Sequence, residues 1–170
     1  MRRLALPALA CLAALTLGAG AAQAASQGVF RAYAAPDSPI AVAVTVPPDY
    51  VTVYVSGMTA GVMDPSAPKG SVAAYGSTAV QTESAIKRIQ AALQAQGLDL
   101  GDVVSMRVYL VGDPGKGGQM DFAGMMAAYN RHFGTPDQPN RPARTTVQVA
   151  NLVAPGLLVE IETTAVKPAH

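Results

Sequence analysis

Residues 78–111 read TAVQTESAIKRIQAALQAQGLDLGDVVSMRVYLV, and within this stretch the apolar period changes from that of a helix to that of a strand. Thr82, Ala85, Ile86, Ile89 and Leu93 recur at helical spacing, while Glu83 and Lys87, four apart, occupy the polar side. Thr78 followed by Gln81 has the form of a capping box, and Gly97 is placed to end the helix in the left-handed conformation. After a turn at 99–102, Val104, Met106, Val108 and Leu110 alternate with Ser105, Arg107 and Tyr109, the pattern of a half-buried strand. An amphipathic helix leading into such a strand calls for a sheet with helices laid on it.

Reading outward, a second helix is predicted from an Asp121 N-cap to Gly134, with Phe122, Met125, Met126, Tyr129 and Phe133 on one stripe read as core. Upstream, strands are predicted at Val29 to Tyr33, at Ala41 to Val46, and at Val51 to Gly57, where a hairpin is expected. Downstream, Arg144 to Leu152 and Leu157 to Val166 read as two strands joined by a tight reversal at Ala154, Pro155 and Gly156. The stretch from Met58 to Gly76 reads as a loop or lid. Gly112 to Gly118 reads as a plain loop, since no Gly-Lys-Ser/Thr opens a helix there. The resulting order β-β-β-α-β-α-β-β predicts one α+β domain in which one sheet carries both helices on one face.

The first residues belong to a different kind of signal. Arg2 and Arg3 precede an apolar run from Leu4 to Leu17, and Ala22-Gln23-Ala24 forms an A-x-A cleavage site, so residues 1–24 read as a secretory signal and 25–170 as the mature domain. Cleavage after Ala24 leaves 146 of the 170 residues and removes both arginines, taking the formal charge from +1 to −1. The apolar run is short for a membrane span, so no stable membrane anchor is expected, and the location is periplasmic or secreted. Cys11 lacks the leucine of a lipid-attachment signal, Ala8 standing in its place, and it leaves with the leader. A mature chain without cysteine has no disulfide and no thiolate nucleophile. A net charge near zero with three Phe and no Trp gives no basic stacking platform, so neither nucleic acid binding nor ribonuclease chemistry is expected.

Candidate chemistry is sparse. His132 and His170 make no ligand cluster, so no metal site is expected, and Ser56 with His132 lacks the G-x-S-x-G elbow of a hydrolase triad. Arg144 is the sharper feature: it follows Pro142-Ala143 at the mouth of a strand, on the same face as Thr146 and Gln148. A guanidinium fork there can grip both oxygens of a small carboxylate, although a structural ion pair has the same sequence signature. Glu160 and Glu162 in the last strand can supply a base or hold a water, and a one-residue change of register decides which side of the sheet they occupy.

Together these segments carry a resemblance. Tyr54-Val55-Ser56-Gly57, the helix from Gln81 to Gly97 ahead of Asp102-Val103-Val104, Asp121-Phe122 with Tyr129 and Phe133, Pro142-Ala143-Arg144 and the ending Glu160-Ile161-Glu162 resemble the reactive intermediate deaminase (Rid or YjgF) family from about Val29 to Val166. The Pro-Ala-Arg segment with the acidic last strand is its most specific part. The resemblance implies a chorismate-mutase-like fold, a homotrimer with a barrel-like centre, and clefts between subunits that bind small carboxylates. It further implies hydrolysis of 2-enamino or 2-imino acids to 2-keto acids and ammonia without metal or organic cofactor. On that basis Arg144 is the carboxylate clamp, Glu160 positions water, Thr146 stands where cysteine is often found, and Ser56 and Gly57 line the cleft. The chain departs from the family in lacking a tyrosine over 37–41, in carrying Met126 where asparagine is common, and in a longer 58–76 loop. A trimeric module that binds small carboxylates without turnover is the alternative.

Overall fold

The computed structural model describes residues 28–170; the predicted leader, its cleavage after Ala24 and Cys11 lie outside them. Strand β1 (Phe30–Ala32) pairs antiparallel with β2 (Ala43–Thr45) as a separate ribbon. The main sheet contains β3 (Tyr50–Thr59), β4 (Val103–Val111), β5 (Ala143–Val149) and β6 (Val159–Pro168) in the order β3-β6-β4-β5. A one-turn helix α1 (Val72–Tyr75) precedes α2 (Thr78–Gln94), and α3 (Phe122–Tyr129) lies between β4 and β5. Strand β6 runs antiparallel to both β3 and β4, whereas β5 runs parallel to β4.

This order corrects two expectations from the turn chemistry. The segments flanking Ala154-Pro155-Gly156 do not pair with each other, because β4 lies between β5 and β6 and the chain must pass from one side of it to the other. Nor is there a hairpin at Gly57. Strand β3 continues to Thr59 through a bulge in which Ser56 and Gly57 together oppose Glu162, since Val55 partners Thr163 and Met58 partners Ile161. Proline and glycine mark both places as irregular, but turn residues do not specify which strands become neighbours.

The core lies between one face of the sheet and helices α2 and α3. Ile86, Ile89 and Leu93 of α2 are at most 1% exposed and meet Met106, Val108, Leu110, Val159 and Ile161 from the sheet, with Met125, Tyr129 and Phe133 from the α3 region. Complete burial of each large aliphatic side chain contributes roughly 1.5–3 kcal/mol. Gly97, at φ 72°, closes α2, with Leu98 N donating back to Leu93 O at 3.0 Å. Asp121 caps α3 by accepting from Gly124 N at 3.1 Å, although α3 ends at Tyr129, short of Gly134.

The start of α2 departs from the predicted capping box. Ser77 is the N-cap without a side-chain cap bond, and Gln81 is fully buried with a different task. Its amide nitrogen donates to Gly76 O (2.9 Å) and Gly156 O (3.0 Å), and its amide oxygen accepts from Leu158 N (2.8 Å). Gln81 thereby fastens the β5–β6 connection to the head of α2.

Outside the core, α2 is tied to the end of α3 by Glu83. Its carboxylate takes Lys87 Nζ at 3.1 Å, Arg131 Nη2 at 2.9 Å and His132 Nε2 at 2.9 Å. Burial opposes the charged form, but the hydrogen bonds from His132, Arg131 and Lys87 outweigh it and bring the carboxyl from 4.5 to about 2. The folded state therefore binds this proton less tightly than the unfolded chain. The stabilisation is fully present above about pH 4.5 and is lost as pH falls through about 2. Thermal melts of the wild type and Glu83→Gln should differ by on the order of 1 kcal/mol at pH 6, allowing for solvent screening, and converge towards pH 2.

Candidate functional site

The β4–β5 register settles the direction of Arg144. Met106 partners Arg144 and Val108 partners Thr146, and since both β4 residues face the core, Arg144 and Thr146 share the helix-covered side at the sheet's edge. The guanidinium stacks on Tyr129 with Cζ 4.3 Å from the ring centroid, reaches within 6.0 Å of the Phe122 ring, and donates from Nη2 to Met126 Sδ at 3.1 Å. Among the described residues no carboxylate pairs with it. Burial lowers its affinity for a proton, with the neighbouring Tyr129 opposing that effect. The stacked ring compensates part of the desolvation.

Two polar atoms of β5 on this face are buried and without a partner among the described residues, Arg144 Nη1 and Thr146 Oγ1; Thr163 Oγ1 of β6, opposite Met106 on the same face, is a third. Buried polar groups ordinarily find hydrogen bonds, and leaving one unpaired costs roughly 1–3 kcal/mol. A donor and a hydroxyl left open two residues apart on one strand face can be satisfied together by an anion with two oxygens.

Tyr129 is the platform under this arrangement. Its ring stacks on Phe133 at 4.8 Å, and its hydroxyl donates to Pro39 O at 3.0 Å. Burial, only partly offset by Arg144 and Arg141, pushes its pKa up to about 12, so the phenol stays protonated near neutrality and its proton is held in the hydrogen bond to Pro39 O. The 37–41 segment thus covers Tyr129 through the Pro39 carbonyl. Arg141 holds the same loop, donating to Pro36 O at 3.1 Å and lying over Tyr33.

Both glutamates occupy the other side of the sheet. Glu162 partners Arg107 and Glu160 partners Tyr109, on the face opposite the core, which no helix among the described residues covers. Glu162 is occupied, accepting from Arg107 Nη1 at 2.6 Å and from the Tyr109 hydroxyl at 3.2 Å. Glu160 makes no ion pair or hydrogen bond to another side chain among the described residues, and it packs against Gly57, where a Cβ would collide with its carboxylate. Ser56 lies nearby, lining a shallow cavity of about 190 Å³ with Tyr54, Ser105, Arg107 and Glu162.

The structure therefore gathers the candidates into two groups. Arg144 and Thr146 lie on the helix side at the β5 edge, whereas Ser56, Gly57 and Glu160 lie on the uncovered side near β3. With β4 between β5 and β6, the two strands are about 10 Å apart, so one protomer does not bring Arg144 and Glu160 to a common point. Reading the α3 stripe as core missed the part played by Phe122, Met126 and Tyr129 around Arg144. The available signal was their 4- and 3-residue spacing, which gives a short helix one face. His132, considered for metal or triad chemistry, is engaged with Glu83.

Comparisons with known proteins agree with this architecture. The family model described as endoribonuclease L-PSP matches residues 46–167. A RutC family protein of Pyrococcus horikoshii is 35% identical over 103 residues, 61% of this chain and 73% of that protein. A solved member of the YjgF/YER057c/UK114 family from Mycobacterium tuberculosis is 34% identical, with 74% of this chain and 84% of that one aligned at a TM-score of 0.50. Two more distant structures share the fold. One is a Rid family protein from Yersinia pestis (22% identical, 75% and 86% covered, TM-score 0.55), and the other is E. coli TdcF with bound serine (24%, 83% and 98%, 0.51). With the family model spanning more than two thirds of its length and a solved relative following the same α+β path, the chain belongs to the endoribonuclease L-PSP family, whose members also carry the names YjgF and Rid.

Proposed function

We propose that this protein hydrolyses small 2-imino and 2-enamino acids, and that its sites are completed between copies of the chain. The observation that carries the reading is the pair of buried, unpartnered atoms Arg144 Nη1 and Thr146 Oγ1, in a guanidinium and hydroxyl that no acid among the described residues occupies. The substrate carboxylate fills that place. Neutralising it removes the repulsion that would oppose a water oxygen approaching the adjacent C=N carbon. An enamino acid first takes a proton at C3 to become the iminium; water adds to C2, the proton it releases passes to nitrogen, and the C–N bond breaks as the C2 hydroxyl gives up its proton, leaving a 2-keto acid and ammonia with the extra proton (ammonium). Glu160 accepts the proton from water, supplied from a neighbouring copy because its own protomer directs it away from Arg144. Serine bound by a protein of this fold is itself a small carboxylate.

Association as a trimer accounts for the uncovered sheet face, where Tyr54 is 81% and Val147 41% exposed. Light scattering on the mature protein tests the assembly. Export with cleavage after Ala24 is part of the same proposal, and mass determination of the N-terminus from expressing cells tests it. An exported enzyme meets imines released by amino-acid oxidation outside the cytoplasm.

The direct assay is keto-acid release from imino acids generated by an amino-acid oxidase. Binding of 2-keto acids without accelerated hydrolysis selects the non-catalytic module instead. Within the assay, Glu160→Gln should lower turnover by about 10²-fold while keto-acid binding persists, as expected when positioned proton transfer is removed. Gly57→Ala should act in the same direction with a smaller loss, because its new Cβ displaces the Glu160 carboxylate, a flexible side-chain end that can move without unfolding the protein.

A further inference from the structure

Resting on that reading, we infer that Phe122 and Met126 select the substrate side chain, and that the preferred substrates are 2-imino acids with apolar side chains of leucine or methionine size.

The argument starts from what surrounds the guanidinium. A carboxylate held by Arg144 Nη1 and Thr146 places the rest of the substrate against the groups flanking the arginine. On the α3 side these are the Phe122 ring and the Met126 thioether. Phe122 and Met126 are four residues apart on the same helix face. The only side-chain acceptor that touches Arg144 among the described residues is Met126 Sδ. Thioether sulfur is a weak acceptor, so an incoming carboxylate displaces it readily. The unbranched side chain can then repack against substituents of different lengths.

Phe122 supplies the second half of the argument. It is a large aromatic side chain in the first turn of α3, yet it remains 42% exposed while Met125 and Tyr129 of the same helix are buried. An apolar substrate side chain covering the ring exchanges water for apolar contact on both surfaces. A hydroxyl or amide in that position would lose its water and meet a ring and a thioether, neither of which replaces a full hydrogen bond. Sulfur against the ring edge is favourable for methionine-derived substrates in addition.

The test compares oxidase-generated imines of alanine, serine, leucine and methionine. The wild type should show kcat/KM values for the leucine and methionine imines roughly tenfold or more above those for alanine and serine, the scale on which apolar pockets discriminate. Met126→Asn and Phe122→Ser should each reduce the leucine-to-alanine ratio severalfold. Calorimetry with pyruvate and with 4-methyl-2-oxopentanoate reads the same selectivity without turnover, with tighter binding of the branched acid expected in the wild type. Equal treatment of small and large side chains in both measurements overturns the inference while leaving the hydrolase reading intact, as does a ratio unmoved by both substitutions. Binding preference without any hydrolysis sinks the hydrolase reading and keeps the apolar pocket.

Discussion

Replacing Arg144 with alanine should reduce kcat/KM for imino-acid hydrolysis by roughly 10- to 150-fold, the equivalent of a lost charge-assisted hydrogen bond worth about 1.5–3 kcal/mol. The variant should still fold. Among the described residues Arg144 has no acidic partner, so its removal strands no buried carboxylate; it forfeits stacking on Tyr129 and the weak contact with Met126. Arg144→Lys distinguishes charge from shape. An ammonium keeps the charge, but its three tetrahedral donors match neither a carboxylate in bidentate contact nor the face of Tyr129, so it should recover only part of the loss. Keto-acid formation with each variant, alongside a melting curve to establish folding, makes the measurement. Equal rates for the wild type and Arg144→Ala would falsify the assignment of the clamp.

The largest stability effect is expected at Gln81, a polar residue that is completely buried. Gln81→Leu keeps the volume but removes the partner of Leu158 N and the donors to Gly76 O and Gly156 O. Leaving these backbone groups unpaired costs on the order of 3–5 kcal/mol in sum, enough to lower the Tm of a domain of this size by about 10 °C. Gln81→Glu retains the shape and one acceptor but loses the donors and buries a charge, so it should be no better than leucine. The damage should concentrate in the β5–β6 connection, where hydrogen exchange at Leu158 would report it. A change below about 1 kcal/mol for both variants would show that the connection is held by packing alone.

Gln81 also shows how local and long-range information divide. Its place in the first turn of α2 suggested a capping box, and nothing nearby in sequence points to Gly156 or Leu158, more than seventy residues away. The Met126–Arg144 contact is similar, since its two members were legible separately as a core stripe residue and a strand-mouth cation. The departure at Met126 was visible in the sequence. Its position against the guanidinium was not.

What the sequence determined by itself is the local layer: the buried stripe of α2, the Gly97 terminator, the Asp121 cap, the inside and outside of β4, and Arg144 and Thr146 on one face of β5. These follow from periods of 3.6 and 2 and from backbone groups satisfied within a few residues. The tertiary structure decided that β4 separates β5 from β6, that Glu160 and Glu162 lie on the face away from Arg144, that Glu162 is taken by Arg107 while Glu160 packs against Gly57, and that Arg144 rests on Tyr129. The physical reason is that strand pairing is made between residues far apart in the chain. A parallel neighbour and a hairpin neighbour bury the same alternating side chains, so the choice is made by how the helices and connections pack over the whole sheet.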